Sequence, residues 1–300
     1  MAGPGKAVKA VEARRGEARY GQAGQGKARQ SITKLTRLSR EKGCKKMNVK
    51  TQDRTAEIFI EAIKKERATV WILGESPMIF NSMSMKSKGT LLNPSGRKTA
   101  AEKAQNSKHN PIEEYRNSCY RRRQSETKTS PTRIIFPASA FKSAMMNAAI
   151  EVQGAKKTQI GRLVWVEGDY VDVYGIPQML MSVVRSADMN KTPDIRTRAI
   201  LRNWACKLSI TYARPTLTNV AITRLLETAG MVIGVGDFRQ EKGKGNYGQF
   251  RICDEKDVKA LVAAGGIKQQ DAALENPECY DAETEELYSW FKEERISRGK

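Results

Sequence analysis

Histidine is nearly missing from this chain: among 300 residues the only imidazole is that of His109. It lies in the polar string SKHNP, so any mechanism that needs two histidines is excluded and a histidine-based nucleophile relay is disfavoured. Cysteine is sparse as well. Cys44, Cys119, Cys206, Cys253 and Cys279 stand far apart with no CxxC pair, which fits neither a zinc ribbon nor a disulfide framework and predicts buried free thiols. No apolar run approaches the length of a membrane span, and the opening MAGPGKAVKAVEARRGEARYGQ lacks the apolar stretch of a signal peptide. The cytoplasm is the expected compartment, with no membrane as partner. No convincing catalytic set is present either, so neither enzymatic activity nor a metal or cofactor is expected.

Acids are outnumbered. Against 33 Asp and Glu stand 53 Lys and Arg, a formal charge of +20 with a pI near 9.8, which points to a polyanionic partner. The excess is uneven: residues 1 to 50 hold 14 basic and 3 acidic side chains, whereas residues 271 to 300 hold 4 and 9. The head, rich in Gly, Ala, Lys, Arg and Gln and poor in periodic apolar residues, reads as a disordered basic arm. Residues 97 to 133 hold ten basic side chains against four acids, including Arg121, Arg122 and Arg123 beside Tyr115 and Tyr120. Guanidinium grips phosphate bidentately and tyrosine stacks on bases, so this string suits a groove that follows a nucleic-acid strand. Charge runs are also commonly just solvated faces.

The string GVGDFRQEKGKGNYGQF, residues 234 to 250, sets five glycines among cations and aromatics. Glycine lets main chain approach a phosphate or sugar, Arg239, Lys242 and Lys244 add charge, and Phe238, Tyr247 and Phe250 offer stacking faces. Gly236, Gly243 and Gly245 are the candidate approach points. A hairpin turn is the plainer alternative.

Periodicity organises the rest. Residues from 55 place Ile58, Phe59, Ala62 and Ile63 at helical spacing, and 69 to 74 (TVWILG) read as a buried strand. Residues 139 to 152 form an amphipathic helix with Ser139 as N-cap, and its N-terminus, with Ser139 and Lys142, could hold a phosphate. GRLVWVEG and DYVDVYG read as strands joined by a tight turn at Gly168 and Asp169, QMLMSVVR as a third strand, and SADMNKTPDIRTRAILRNW as a polar link. CKLSITYA is a strand, 217 to 229 a helix stopped by Gly230, and 247 to 253 a closing strand. A short helix and an acidic helical tail follow. The order is βαββαβ, an α+β, ferredoxin-like (RRM-like) pattern, whose sheet serves as a platform in RNA-recognition domains.

Three signatures in series carry a family resemblance: GESPMIFNS closing an early strand, FPASAFKSAM opening a helix, and AGMVIGVGDFRQEKGKGNYGQFRI closing a β-α unit. In this order they resemble the RAMP superfamily of CRISPR proteins, especially the backbone subunits that coat guide RNA, and more so phage-encoded relatives of those subunits, over residues 55 to 253. The resemblance implies phosphate contacts at Ser139, Phe141 and Lys142 and around the glycine-rich loop, and further strand contacts at Tyr115, Arg185, Arg196, Arg198 and Trp204. Together with the composition, which places the arm at 1 to 50 outside the resemblance, it gives three expected regions: that arm, a RAMP-like domain at 51 to 255 with insertions near 77 to 136 and 175 to 205, and a helical acidic tail at 256 to 300. The expected function is binding of single-stranded RNA or DNA, with copies assembling as a filament or ring. The runner-up is a RAMP-type ribonuclease in which Asp188, Asp194, Asp169 or Asp172 hold Mg²⁺. Against it, Asp169 and Asp172 alternate outward on a strand and the other two sit in a turn-rich link. A third reading is a phage protein that inhibits or mimics a host CRISPR complex.

Overall fold

The computed structural model describes residues 62–83, 85–92, 109–126, 130–185, 193–242 and 245–297. The arm at 1 to 50 and most of the helix expected from residue 55, with Ile58 and Phe59, lie outside them. Strands are β1 (Lys64–Gly74), β2 (Met78–Ile79), β3 (Ile135–Pro137), β4 (Val164–Val166), β5 (Tyr170–Tyr174), β6 (Pro177–Arg185), β7 (Pro193–Leu201), β8 (Ala205–Arg214) and β9 (Phe250–Cys253). Helices are α1 (Met85–Leu92), α2 (Pro111–Ser118), α3 (Ala138–Ala148), α4 (Lys157–Leu163), α5 (Asn219–Thr228), α6 (Glu255–Ala264), α7 (Ile267–Glu275) and α8 (Ala282–Ser297). The architecture is mixed, with an antiparallel sheet at its centre.

That sheet is built on one long pair. KKERATVWILG and ACKLSITYAR alternate polar and apolar residues, and β1 and β8 pair antiparallel from Lys64 opposite Arg214 to Leu73 opposite Ala205. Each residue of one strand shares a face with its partner. Ile72, Cys206, Leu208, Ile210 and Tyr212 therefore point to one side and are buried, while Lys65, Arg67, Thr69 and Lys207 point to the other and are exposed. β9 adds to β1, β4 and β5 add to β8, and β3 to β5, for the order β3-β5-β8-β1-β9 with β4 also on β8. Every pairing is antiparallel. β1 starts at Lys64 rather than at Thr69, because its first half is a polar, half-exposed ladder that no apolar run announces; Ile63, expected on a helix, precedes it, outside any helix.

Helices α3 and α5 cover the apolar side. Phe141, Ala144, Met145 and Ala148 of α3 and Ile222, Leu225 and Leu226 of α5 are buried at intervals of three and four. Edge-to-face rings run through this core, Phe80 to Phe136 at 5.7 Å, Phe136 to Phe141 at 6.0 Å and Phe141 to Phe250 at 6.0 Å. Thr218 caps α5, its hydroxyl accepting from the Ala221 amide at 3.2 Å. α3 begins one residue earlier than predicted, with Pro137 as cap and Ser139 in the first turn, because the Ala138 amide is taken by the Asp169 carbonyl. Gly230 does not stop the chain: a π-helical turn runs on over Ala229–Ile233, and a β-carbon at Gly230 would lie 1.9 Å from the Phe250 carbonyl oxygen.

Two further departures have local causes. β4 and β5 are not a hairpin: Gly168, at φ +81°, lets the chain step along β8, so that Val164 faces Tyr212 and Val173 faces Cys206. The presumed polar link contains β7, the middle strand of a second sheet in the order β2-β7-β6. Its pattern hides because Asp194, Arg196 and Arg198 alternate with the core positions, leaving only Ala199, Ile200 and Leu201 as an apolar run. The string from 82 to 133, which shows no period, contains α1 and α2.

The C-terminal helices are fastened to the sheets by polar side chains. Gln270 of α7, fully buried, accepts from the Arg133 and Ile134 amides at 2.8 and 2.9 Å and donates toward the carbonyls of Val173, Gly175 and Gly265 at 2.8, 3.1 and 2.9 Å. One amide thus holds β5, the entry to β3 and the α6–α7 turn together. Thr284 of α8 accepts from the Met181 amide at 3.1 Å. Among the described residues no helix is long and apolar enough to cross a membrane. Gln270→Leu strands several buried backbone groups, each worth about 1–3 kcal/mol when left unpaired. Denaturant unfolding should show a loss of about 3 kcal/mol or more; a change below about 1 kcal/mol would mean that the clasp is dispensable.

Candidate nucleic-acid interface

The glycine-rich loop is packed against the protein itself. Val235 donates to the Gly248 carbonyl at 2.9 Å, Asp237 to that of Ile79 at 2.9 Å, and Gly248 to that of Pro77 at 2.8 Å. Gly236 and Gly248 have φ of +90° and +75°, and β-carbons there would meet the Ile79 oxygen at 2.8 Å and the Val235 oxygen at 1.7 Å. At Gly245 the obstacle is the Phe238 oxygen at 1.5 Å. Close approach is indeed the reason for these glycines, but at Gly236 and Gly245 the group approached is the chain's own backbone. This corrects their assignment to phosphate contact. Gly243 and Lys244 lie outside the described residues. Arg239 is held inside the loop, by Glu241 at 2.7 Å and the Gly236 carbonyl at 3.1 Å, and Tyr247 is half-buried beside it. Lys242 is exposed.

Four other candidates are structural. Tyr115 is buried and its hydroxyl donates to the Pro177 and Ala273 carbonyls at 3.1 and 3.0 Å; burial raises its phenol well above the ordinary range. Phe141 is in the core, and the buried Trp204 donates its indole N–H to the Ser76 carbonyl at 2.9 Å. Arg198, 6% exposed, pairs with Asp237 and lies 5.7 Å from the Phe238 ring, joining β7 to the glycine-rich loop. None presents a free face or charge to a strand. Sequence alone could not separate Arg198 from Arg196, which is exposed on the same strand opposite Ser182. Arg185, also exposed, ends β6 opposite Pro193, the first residue of β7.

The arginine triplet does come together with stacking groups. A cavity of about 680 Å³ is lined by Lys88, Arg121, Arg122 and Arg123, by Tyr120 and Tyr170, and by Glu126 as its acid. Arg122 is committed to Asp172, at 2.8 Å from Nη2 and 3.2 Å from Nε. Arg121 and Arg123 make no ion pair among the described residues, and burial with the nearby Arg133 and Arg116 charges lowers the Arg121 pKa. Tyr120 and Tyr170 stand 6.4 Å apart, and Tyr170 is 48% exposed. Because Tyr170 pairs with Pro137, the cap of α3, the cavity adjoins the helix start that carries exposed Ser139 and half-buried Lys142.

A second group was missed by the sequence reading. On the outward side of the main sheet Trp165 is 38% exposed with Lys65 Nζ 5.5 Å from its ring, and Trp71 has Lys207 Nζ at 5.3 Å and the Tyr174 ring at 5.9 Å. Their signal is the alternation of KKERATVW, which sends every second residue outward.

The acidic candidates are dispersed. Asp172 accepts from Arg122 and from Thr132 Oγ1 at 3.0 Å, Asp194 lies 3.3 Å from His109 Nε2, and Asp169 is exposed in the turn. Asp188 lies outside the described residues. No group of three or more His, Cys, Asp and Glu gathers as a metal site among the described residues. Cys119 and Cys206 are free and buried, and burial pushes the Cys119 thiol up to about 12.

No protein-family model and no curated protein matches the chain. Among solved structures it is similar to a chain of the Type III-B Cmr-beta assembly bound to cognate target RNA, at 14% identity and a TM-score of 0.34, over 64% of this chain and 60% of that one. It is also similar to Cmr6 from Pyrococcus furiosus, at 9% identity and a TM-score of 0.32, over 63% of this chain and 98% of that one. The chain therefore spans about three-fifths of the length of the first of these. One expectation is corrected here: the exclusion of enzymatic activity is withdrawn.

If the glycines serve chain-on-chain packing, Gly248→Ala acts on stability. The strain of a side chain at positive φ against backbone should cost about 2–4 kcal/mol, seen as a lower melting temperature, with strand affinity of the folded fraction unchanged. A native melting curve with lost affinity would return the loop to the ligand.

Proposed function

We propose that this protein binds single-stranded nucleic acid, with Arg121 and Arg123 gripping phosphate and Tyr120 and Tyr170 stacking on bases in the cavity beside the start of α3. The observation that carries this is the convergence there of two guanidinium groups, Arg121 and Arg123, that make no ion pair among the described residues, with two aromatic rings, one of them 48% exposed. Charge alone would suit any polyanion; rings between the charges favour a strand whose bases are free to stack. Ser139, Lys142, Arg185, Arg196 and Lys242 extend the same reading along the surface, as exposed or half-exposed groups.

A RAMP-type module with a ferredoxin-like core is part of this reading. Its support is the strand order β9-β1-β8-β4, in which α3 and α5 are the two crossover helices. The resemblance to phage-encoded relatives of guide-coating subunits adds RNA or single-stranded DNA as ligand, several copies along one strand, and a cytoplasmic setting.

The test is binding of a labelled single strand and its duplex across salt. Affinity for the single strand should exceed that for duplex and fall on the order of a hundredfold between 50 and 200 mM salt. Arg121→Ala with Arg123→Ala should weaken it about tenfold or more and flatten the salt slope. Salt-insensitive binding, or equal affinity for duplex, contradicts the proposal.

A further inference from the structure

The outward face of the six-stranded sheet is a surface that the cavity does not use. Register places Lys65, Arg67, Thr69 and Trp71 of β1 beside Ala213, Thr211, Ser209 and Lys207 of β8, with Trp165 opposite Thr211 and Tyr174 opposite Ala205. Among the described residues Lys65, Arg67, Thr69, Trp165 and Lys207 are exposed at this end. Glu167, which follows β4, is occupied, by Arg67 at 2.5 Å and by Thr211 Oγ1 at 2.7 Å, and Glu255 stands at the Trp71 end. The face is cationic with indoles set between the charges.

We propose that this face is a second, base-stacking site for single-stranded nucleic acid, in which one base lies on Trp165 and another enters beside Trp71. It rests on the strand-binding reading above and adds a site to it. Helix α6 lies across the Trp71 end and leaves a cavity of about 560 Å³ lined by Trp71, Glu255, Lys256, Val258, Lys259, Val262 and Ala263. Trp71 Nε1 is buried and has no hydrogen-bond partner among the described residues. A buried donor left unpaired costs free energy, so an acceptor on a base or phosphate that reached it would be bound with gain. Trp71 and Trp165 are offset by four residues along the strand, about 13 Å, and by two strands across it, about 10 Å, so about 16 Å in all, a span suited to about two or three bases. Lys65 and Lys207 sit beside the two rings, where the phosphates of stacked nucleotides would pass. Stacking and charge read no 2′-hydroxyl, so RNA and DNA strands should both bind here.

The test uses the full chain with Trp290→Phe, which removes the exposed indole of α8, and 15-nucleotide oligouridylate and oligothymidylate as probes. Both should quench tryptophan fluorescence, and Trp165→Ala should weaken both about tenfold or more. Lys65→Glu with Lys207→Glu, exposed changes that spare the core, should do the same and flatten the salt slope. Quenching should persist in Arg121→Ala with Arg123→Ala, at higher strand concentration. If the parent chain binds neither probe, the strand-binding reading itself fails. If it binds, and only the arginine variant loses affinity while the Trp165 and lysine variants match it, that reading stands and the second site is overturned. Loss of association between copies with strand affinity intact would assign the face to protein and overturn it equally.

Discussion

The long antiparallel pairing of β1 with β8 is the constraint on which the rest of the structure depends. Its period of two sorts the side chains of both strands at once, Ile72, Leu208, Ile210 and Tyr212 to the core and Lys65, Arg67, Trp71 and Lys207 to the other side. A slip of one residue would bury the lysines and expose the isoleucines, so the hydrophobic side fixes the polar one. Every other strand of the main sheet is added to this pair or to a neighbour of it. The cavity that gathers the arginines is reached through β5 and β3, and thus inherits its geometry from β8.

Tight main-chain approach does the remaining fastening. Gly230 lets the π-helical turn meet β9, Gly248 lets the loop cross Val235, and Arg198 with Asp237 ties the second sheet to that loop. Gln270 does the corresponding work at the other end, satisfying backbone groups of three elements with one side chain. Such sites tolerate little change. Charges left out of these fasteners, Arg121, Arg123, Lys65 and Lys207 among them, lie in the cavity or on the outward face, where a ligand can reach them.

Long periodic elements were legible in the sequence. α3, α5, β8 and α6 stand within a few residues of where the sequence pattern puts them. Short or mixed elements were not: β7 is masked by its alternating charges, and α4 takes over the start of a string whose β-formers read as strand. At the candidate site the sequence identified residue types but not their orientation. Tyr115 and Tyr120 belong to the same string, yet the first is locked to two carbonyls in the core and the second lines the cavity. Glycine spacing showed that backbone must come close to something; only the fold shows that at Gly248 it is Val235.

The central claim, that single strands lie on rings flanked by free cations, is tested most directly by photo-cross-linking a 5-bromouridine oligonucleotide to the native protein and mapping the modified peptides. The account places the adducts at Tyr120, Tyr170 and Trp165, reduced in high salt and competed by unlabelled single strand. Adducts confined to the glycine-rich loop at 234 to 250, or no salt-sensitive adduct within the described residues, would contradict it.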